Sequence, residues 1–234
     1  MRTIGLIGGM SWESSALYYQ WINRGIRDRC GPLHSARLLL DSLDFSEVVA
    51  WQRAGNWDAA GDALAASARR LQAGGADCIL LVTNTMHKVA DAITAATNLP
   101  FIHIADPTGA AIAARGLTSV LLLGTAFTMT DSFYRSRLQQ KFGVHCLLPS
   151  EPQRAEVHRI IFDELCAGVI SDVSRSTYRA IINEAMAAGA QGVILGCTEI
   201  GLLIGQHDVS LPLFDTAALH AQAAVAFALE ETLL

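Results

Sequence analysis

A cysteine and a threonine stand at equivalent places in two similar stretches of the sequence. Residues 192–200 read Gly-Val-Ile-Leu-Gly-Cys-Thr-Glu-Ile, so a short apolar run typical of a buried strand ends at a glycine, and Cys197 follows. When residues 73–85 are aligned with residues 187–199, matching alanines, glycines and a leucine bring Thr83 opposite Cys197. Ligands of open α/β sheets bind at the carboxyl ends of the strands, where we expect both residues to lie.

This pair could transfer protons on two faces of one carbon atom. If a pseudo-twofold axis relates the two halves, Thr83 and Cys197 face each other across a cleft, so that one removes a proton and the other delivers one to the opposite face. A free thiol has a pKa of ~8.5, and a helix N-terminus or backbone N–H groups can increase its thiolate fraction. Cys197 precedes a predicted helix start, so we expect such activation; the alternative is a buried structural thiol.

The elements around these residues alternate between strands and helices, which predicts parallel sheets. Apolar runs predict strands at residues 3–8, 36–40, 78–82, 101–104, 119–123 and 144–148, before Cys197 and before Asp215. Helix starts follow Ser11, Asn56, Asp106 and Thr130 or Asp131, two longer helical patterns cover about residues 153–167 and 172–188, and a last helix closes the chain.

Three landmarks recur in the same order in the two halves of the chain. They are a strand ending in glycine, a strand leading to Thr83 or Cys197, and a Leu-Pro strand leading to an aspartate-capped helix. Although βα units share such features generically, three in one order favour a duplicated pair of α/β lobes. We predict one lobe of residues 1–105 and 213–234 and a second of residues 106–212, each with a mainly parallel sheet flanked by helices, and an active site in the cleft between them.

Composition argues against several classes of protein. The 234 residues are 51% hydrophobic and 17% charged, which excludes a disordered chain. No apolar run approaches the roughly 20 residues of a membrane span, and the N-terminus resembles a first strand more than a signal peptide, so we expect a cytoplasmic protein. The net charge of −5 and unclustered basic residues argue against nucleic acid as a partner. Five cysteines without a Cys-x-x-Cys pattern indicate reduced thiols.

Four motifs together resemble the aspartate/glutamate racemase family over essentially the whole chain. They are Gly-Gly-Met-Ser-Trp-Glu-Ser at 8–14, Thr-Asn-Thr-Met-His at 83–87, Leu-Gly-Thr-Ala-Phe-Thr-Met at 123–129 and Gly-Cys-Thr-Glu-Ile at 196–200. The resemblance implies two pseudo-symmetric α/β lobes, a small amino-acid substrate, racemisation without a cofactor by two opposed acid/base groups, and a homodimer.

The resemblance also implies roles for individual residues. Cys197 matches the family's second catalytic cysteine, whereas Thr83 occupies the place of the first. A hydroxyl is a far weaker acid than a thiol and is hard to use as a base, so this departure affects symmetric, two-way racemisation. The residues implied to bind the substrate's α-carboxylate and ammonium, or to line the same pocket, are Met10, Asn84, Thr85, Thr125 and Thr198.

Two further positions concern the substrate side chain. Gln52 stands where aspartate racemases that recognise the side-chain carboxylate have Arg, and Cys166 stands where Lys is common. A Thr-containing branch of the family with the same Ser-Trp-Glu-Ser segment nevertheless resembles acidic amino-acid racemases that favour one enantiomer. We therefore expect an acidic amino acid as substrate, with Gln52 in the binding pocket.

Other functions stay open at this point. They are a broad-range or neutral amino-acid racemase, a one-base decarboxylase of the same superfamily, and a non-catalytic amino-acid-binding protein in which Thr83 marks lost activity. A pyridoxal phosphate enzyme needs a Schiff-base lysine, and the sequence has only Lys88 and Lys141, so we expect no cofactor. The seven histidines show no ligand spacing, so we expect no metal site.

Overall fold

Two four-stranded parallel sheets are formed within residues 1–231, the part of the chain that the computed structural model describes. Their strands are β1 (Ile4–Gly8), β2 (Leu38–Ser42), β3 (Cys78–Leu81), β4 (Phe101–Ile102), β5 (Ser119–Gly124), β6 (His145–Leu147), β7 (Val193–Gly196) and β8 (Leu213–Asp215). The first sheet has the order β2-β1-β3-β4 and the second the order β6-β5-β7-β8, so both sheets have the same topology. This confirms the predicted α/β fold with two similar parallel sheets.

Helices connect the strands and flank both sheets. The α-helices are α1 (Trp12–Cys30), α2 (Phe45–Ala54), α3 (Trp57–Ala73), α4 (Asp91–Ala96), α5 (Ala105–Ala114), α6 (Ala126–Thr130), α7 (Ser132–Phe142), α8 (Glu151–Arg159), α9 (Asp172–Ala187), α10 (Ile200–Leu203) and α11 (Thr216–Ala228). Among the helices of residues 1–231, none has the length and apolar character needed to cross a membrane.

Several predicted elements differ from the structure in length. The helical pattern at 153–167 begins at Glu151 and continues beyond Arg159 as a π-helical turn, Ile160–Glu164, and a 3₁₀ turn, Leu165–Ala167. The helix start expected after Cys197 corresponds to α10, which has four residues, but no signal in the sequence predicts α2 or α6, which have 10 and 5 residues. Segments this short contain too few turns for helical periodicity to distinguish them from loops.

The helix α3 shows how the sequence determines an element in full. The side chain of Asn56 accepts a hydrogen bond from the N–H of Ala59 and so satisfies a donor of the first turn. Leu64 and Leu71 are buried on the helix face that packs against the first sheet. Burying one such side chain contributes about 1.5–3 kcal/mol, so this face stabilises the helix on the sheet.

The chain divides into two units, each built around one sheet. The first unit consists of Met1–Ile104 and a segment that begins at His220, and the second is Ala105–Leu219. We predicted that the first lobe resumes at residue 213, but β8 pairs with β7 in the second sheet, with Leu213 opposite Val193. The Thr216 hydroxyl also donates to the carbonyl of Leu195, at 3.0 Å, so the start of α11 belongs with the second unit.

A glycine turn follows the first strand and leads the chain towards α1. Gly9 has φ +89°, and a Cβ atom added to it would lie 2.1 Å from the backbone oxygen of Leu43. The N–H of Gly9 donates to Ser15 Oγ at 2.8 Å, and the N–H of Leu43 donates to Gly8 O at 3.0 Å. Both the left-handed backbone and the close approach of residue 43 therefore require glycine at position 9.

We predict that Gly9→Ala destabilises the protein more than Gly75→Ala. Gly75 has the same φ of +89° but no atom within 4 Å of an added Cβ. The Gly75→Ala variant therefore measures the cost of the left-handed backbone conformation alone. We expect Gly75→Ala to cost about 1 kcal/mol from left-handed strain and Gly9→Ala about 3 kcal/mol or more, because overpacking adds to that strain. Urea unfolding of the two variants measures the difference, and equal losses would contradict this account.

Candidate functional site

In the first unit, the predicted site residues follow the carboxyl ends of the two central strands. Leu81 lies opposite Ile7, and the N–H of Val82 still donates to the Ile7 carbonyl at 3.0 Å, so Val82 continues the ladder opposite Gly8. Thr83 is the first residue beyond this ladder and is partly exposed. The other site residues at this edge are buried; they are Met10, after β1, and Asn84 and Thr85, after β3.

Gln52 reaches this edge from α2, the helix that was not predicted. Its side-chain amide donates to the sulfur of Met86 at 3.2 Å, and Met86 is buried within the Thr-Asn-Thr-Met-His segment. Asp44 begins this helix by accepting a hydrogen bond from the N–H of Ser46. The structure thus brings Gln52 next to the segment that carries Thr83.

In the second unit, two glycines allow β5 and β7 to approach closely where they end. Gly124 lies opposite Gly196, and a Cβ at residue 196 would be 2.7 Å from the Leu123 carbonyl oxygen. Thr125 follows and begins α6, its hydroxyl accepting from the N–H of Thr128 at 3.4 Å. The remaining site residues of this unit, Cys197 and Thr198, follow β7 directly, and Thr198 is buried.

Thr83 and Cys197 occupy the same position in the two sheets. In each sheet the residue lies at the end of the third strand in spatial order, as the first residue beyond the hydrogen-bonded ladder. The residue before it, Val82 or Gly196, lies opposite the glycine that ends the neighbouring strand. The register of the strands therefore agrees with the alignment of the two sequence stretches. Five of the eight predicted site residues lie in the first unit and three in the second.

The Cys197 thiol is bound to a carboxylate. Sγ donates to Glu199 Oε2 at 2.9 Å. Burial, the negative charge of Glu199 and this hydrogen bond raise the pKa of Cys197 well above its usual value. The expectation that a helix N-terminus favours the thiolate is wrong, because α10 begins only at Ile200, has four residues and carries Glu199 at its N-cap. The resting side chain is therefore a neutral thiol.

A histidine that the sequence analysis did not single out supports the turn after β5. The N–H of Ala126 donates to His158 Nδ1 at 3.2 Å, so this nitrogen carries no proton. Burial lowers the pKa of His158, which is consistent with this neutral form. His158 lies on α8, 32 residues away along the chain, and no local motif signals the contact.

Both lysines of the protein have contacts outside the predicted site residues. Lys88 Nζ lies 4.0 Å from the centroid of the Trp57 ring, and Lys141 Nζ pairs with Asp106 at 2.8 Å. Within residues 1–231, no three His, Cys, Asp or Glu side chains are grouped as a metal ion would require.

Both the sequence and the fold match known proteins. The model of the family Asp/Glu/Hydantoin racemase matches residues 7–224. The chain belongs to this family. Membership makes it a racemase-type isomerase by family, in agreement with the resemblance of the four sequence motifs.

Solved structures of family relatives have the same fold. A protein from Yersinia pestis, described provisionally as an Asp/Glu racemase, is 48% identical, with a TM-score of 0.93 over 98% of this chain and 100% of that one. An aspartate racemase homologue from Pyrococcus horikoshii is 34% identical, with a TM-score of 0.86 over 97% and 99% of the two chains. The aspartate racemase of Picrophilus torridus, at 20% identity, a TM-score of 0.76 and coverage of 97% and 94%, shares the fold.

We predict that Glu199→Gln lowers the pH at which Cys197 reacts with iodoacetamide. A neutral amide removes the negative charge that raises the pKa of the thiol, so the thiolate forms at lower pH, while burial keeps its pKa above the usual value. Mass spectrometry of the Cys197 peptide after alkylation across a pH series gives the midpoint.

The matched control is Glu156→Gln, which removes a negative charge from the same unit at a residue paired with Arg159. This control should leave the midpoint of Cys197 unchanged. An equal midpoint in wild type and Glu199→Gln would show that the carboxylate does not control the thiol.

Proposed function

We propose that the protein interconverts the enantiomers of an acidic amino acid, aspartate or glutamate, without pyridoxal phosphate or metal. Cys197 is the acid/base for one face of Cα, and Thr83 serves the other. The observation that carries this proposal is the equivalence of Thr83 and Cys197 at the carboxyl ends of two sheets with one topology. Two groups at matching positions of a duplicated fold suit a reaction that handles both faces of one carbon.

The neutral thiol of Cys197 suits protonation of a carbanion. In that direction the S–H bond breaks, the electron pair on Cα takes the proton, and a thiolate remains. In the opposite direction the thiol first transfers its proton to the Glu199 carboxylate, 2.9 Å away. The resulting thiolate then takes the Cα proton, and the electron pair of the C–H bond stays on the substrate.

Thr83 limits the reaction on its own face. A hydroxyl ionises far less readily than a thiol, so Thr83 acts in proton transfer through a water molecule or a neighbouring group rather than as a free alkoxide. This difference between the two groups supports unequal rates of proton removal from the two enantiomers.

The polar residues beside these two groups suit the common part of an amino acid. In this proposal the amide of Asn84 and the hydroxyls of Thr85 and Thr198 bind the α-carboxylate and the ammonium group, and Met10 and Thr125 also contact the substrate. Gln52 offers the side chain of the substrate a neutral amide rather than a cation. The 48% identical protein is described provisionally as an Asp/Glu racemase and the 34% identical one as an aspartate racemase homologue, and these descriptions support an acidic substrate.

We expect Cys197→Ser to reduce racemisation at least 100-fold, because loss of a general acid/base costs typically 10²–10⁴-fold. Thr83→Ala should also reduce it at least 100-fold, whereas Thr83→Ser, which keeps a hydroxyl, should stay within about tenfold of wild type. The measurement is chiral chromatography of L- and D-aspartate, L- and D-glutamate and L-alanine after incubation with each variant.

Cys30→Ser is the matched control, since Cys30 is a half-buried thiol at the end of α1 and should not affect turnover. Full activity of Cys197→Ser would refute the assigned mechanism. Wild-type protein that binds aspartate or glutamate without converting it would indicate a binding protein instead, and faster conversion of alanine would contradict the acidic substrate.

A further inference from the structure

A buried histidine is bound on both ring nitrogens just behind Thr83. His87 is 3% exposed. Its Nδ1 lies 2.8 Å from the carbonyl oxygen of Thr83, and its Nε2 lies 3.2 Å from the backbone nitrogen of Ile104. A carbonyl can only accept and a backbone N–H can only donate, so Nδ1 carries the proton and Nε2 accepts. The imidazole is therefore neutral, in one defined tautomer.

This imidazole joins two strands where their direct pairing ends. The last paired residues of β3 and β4 are Leu80 and Ile102. Beyond them, the carbonyl of Thr83 and the N–H of Ile104 are connected through the His87 ring instead of through a backbone hydrogen bond. The position of the Thr83 peptide is thus determined by a side chain of the following 3₁₀ turn, Thr85–Val89.

Other aromatic rings restrict the orientation of His87. The ring of His103 packs edge-on against it with centroids 4.4 Å apart, and the ring of Phe101 lies at 5.6 Å. His220 lies 6.1 Å away, with Nε2 2.7 Å from the carbonyl oxygen of Ile102 and Nδ1 2.9 Å from the hydroxyl of Tyr18. These neighbouring rings restrict rotation of the His87 side chain.

We propose that His87 is a positioning residue for Thr83, holding the Thr83 carbonyl so that the threonine hydroxyl is directed at the substrate. The inference rests on the proposed function of Thr83 in proton transfer. Misplacement of a reacting group by about 1 Å can cost about 100-fold in rate, so we expect turnover to fall when the hydrogen bond that holds this peptide is lost. His87 itself makes no contact with the substrate in this proposal.

The two nitrogens can be tested separately by amide substitutions. In His87→Asn the side-chain N–H₂ takes the place of Nδ1 and can still donate to the Thr83 carbonyl. In His87→Gln the longer side chain reaches the place of Nε2, and its amide oxygen can accept a hydrogen bond from the N–H of Ile104. We expect His87→Asn to keep inversion of aspartate within about threefold of wild type and His87→Gln to lose at least tenfold. Inversion and solvent deuterium incorporation at Cα are both followed by proton NMR and chiral chromatography in D₂O.

The ratio of exchange to inversion separates positioning from a general structural defect. In His87→Gln, deuterium incorporation should persist in the enantiomer whose Cα proton Cys197 removes, while inversion is lost. A parallel loss of exchange and inversion, or the same behaviour of both variants, would overturn the inference. If wild-type protein exchanges no Cα proton of aspartate or glutamate, the proposed function fails first, and the two failures are thereby distinguished.

A second measurement examines the His87 ring of the wild-type protein directly. In ¹⁵N-histidine-labelled wild-type protein, long-range ¹H–¹⁵N correlation identifies the protonated ring nitrogen, and the His87→Asn spectrum assigns the signal. We expect a neutral His87 ring protonated on Nδ1. A proton on Nε2 would remove the donor from Thr83 and contradict the proposal.

Discussion

A parallel β-sheet brings all of its carboxyl-terminal strand ends to one edge, and each unit of this protein depends on that constraint. Because β1 and β3 are neighbours in one sheet, and β5 and β7 in the other, residues far apart in sequence come together beyond the ladder. Glycines at the ends of β1, β5 and β7 permit close approach there, since a Cβ at Gly8, Gly124 or Gly196 would lie within 3.1 Å of a neighbouring atom. Polar side chains then follow on backbone that the sheet has already fixed.

The two equivalent positions are supported in different ways. Cys197 is influenced through its side chain, because Glu199 accepts the thiol hydrogen bond and helps to raise the pKa of the thiol. Thr83 is controlled through its backbone, because His87 binds its carbonyl. The proposed reaction thus has two unequal groups. They are the Cys197 thiol, whose pKa is raised, and the Thr83 hydroxyl, whose backbone is held by His87. This inequality, on one repeated topology, is the physical basis for expecting unequal handling of the two enantiomers.

The sequence predicts most of the fold because the pattern of residues within a single strand or helix is enough to indicate that element. Apolar runs ending at Gly8 and Gly196 predict strands, and the Asn56 cap with its apolar spacing predicts α3. The boundary of the second unit could not be read in the same way, since the Leu-Pro strand β8 belongs to the second sheet only by its pairing with β7. A resemblance between two segments does not say which sheet each one joins.

The site residues were predicted by motif and repeat, but the interactions that control them were not. The two-residue separation of Cys197 and Glu199 does not tell whether the carboxylate turns back to the thiol, so the expected thiolate was wrong. For His87, the partner Ile104 is 17 residues away and is brought near by the pairing of β3 with β4. Such contacts depend on rotamers and on tertiary packing, which a single sequence leaves undetermined.

Proton NMR of Cα–H exchange in D₂O, with Thr83→Ala and with L- and D-aspartate supplied separately, tests the central claim most directly. If Thr83 and Cys197 serve opposite faces, this variant exchanges the Cα proton of one enantiomer through Cys197 and inverts neither. Continued inversion, or exchange from both enantiomers at wild-type rates, would show that Thr83 has no part in proton transfer and would contradict the account.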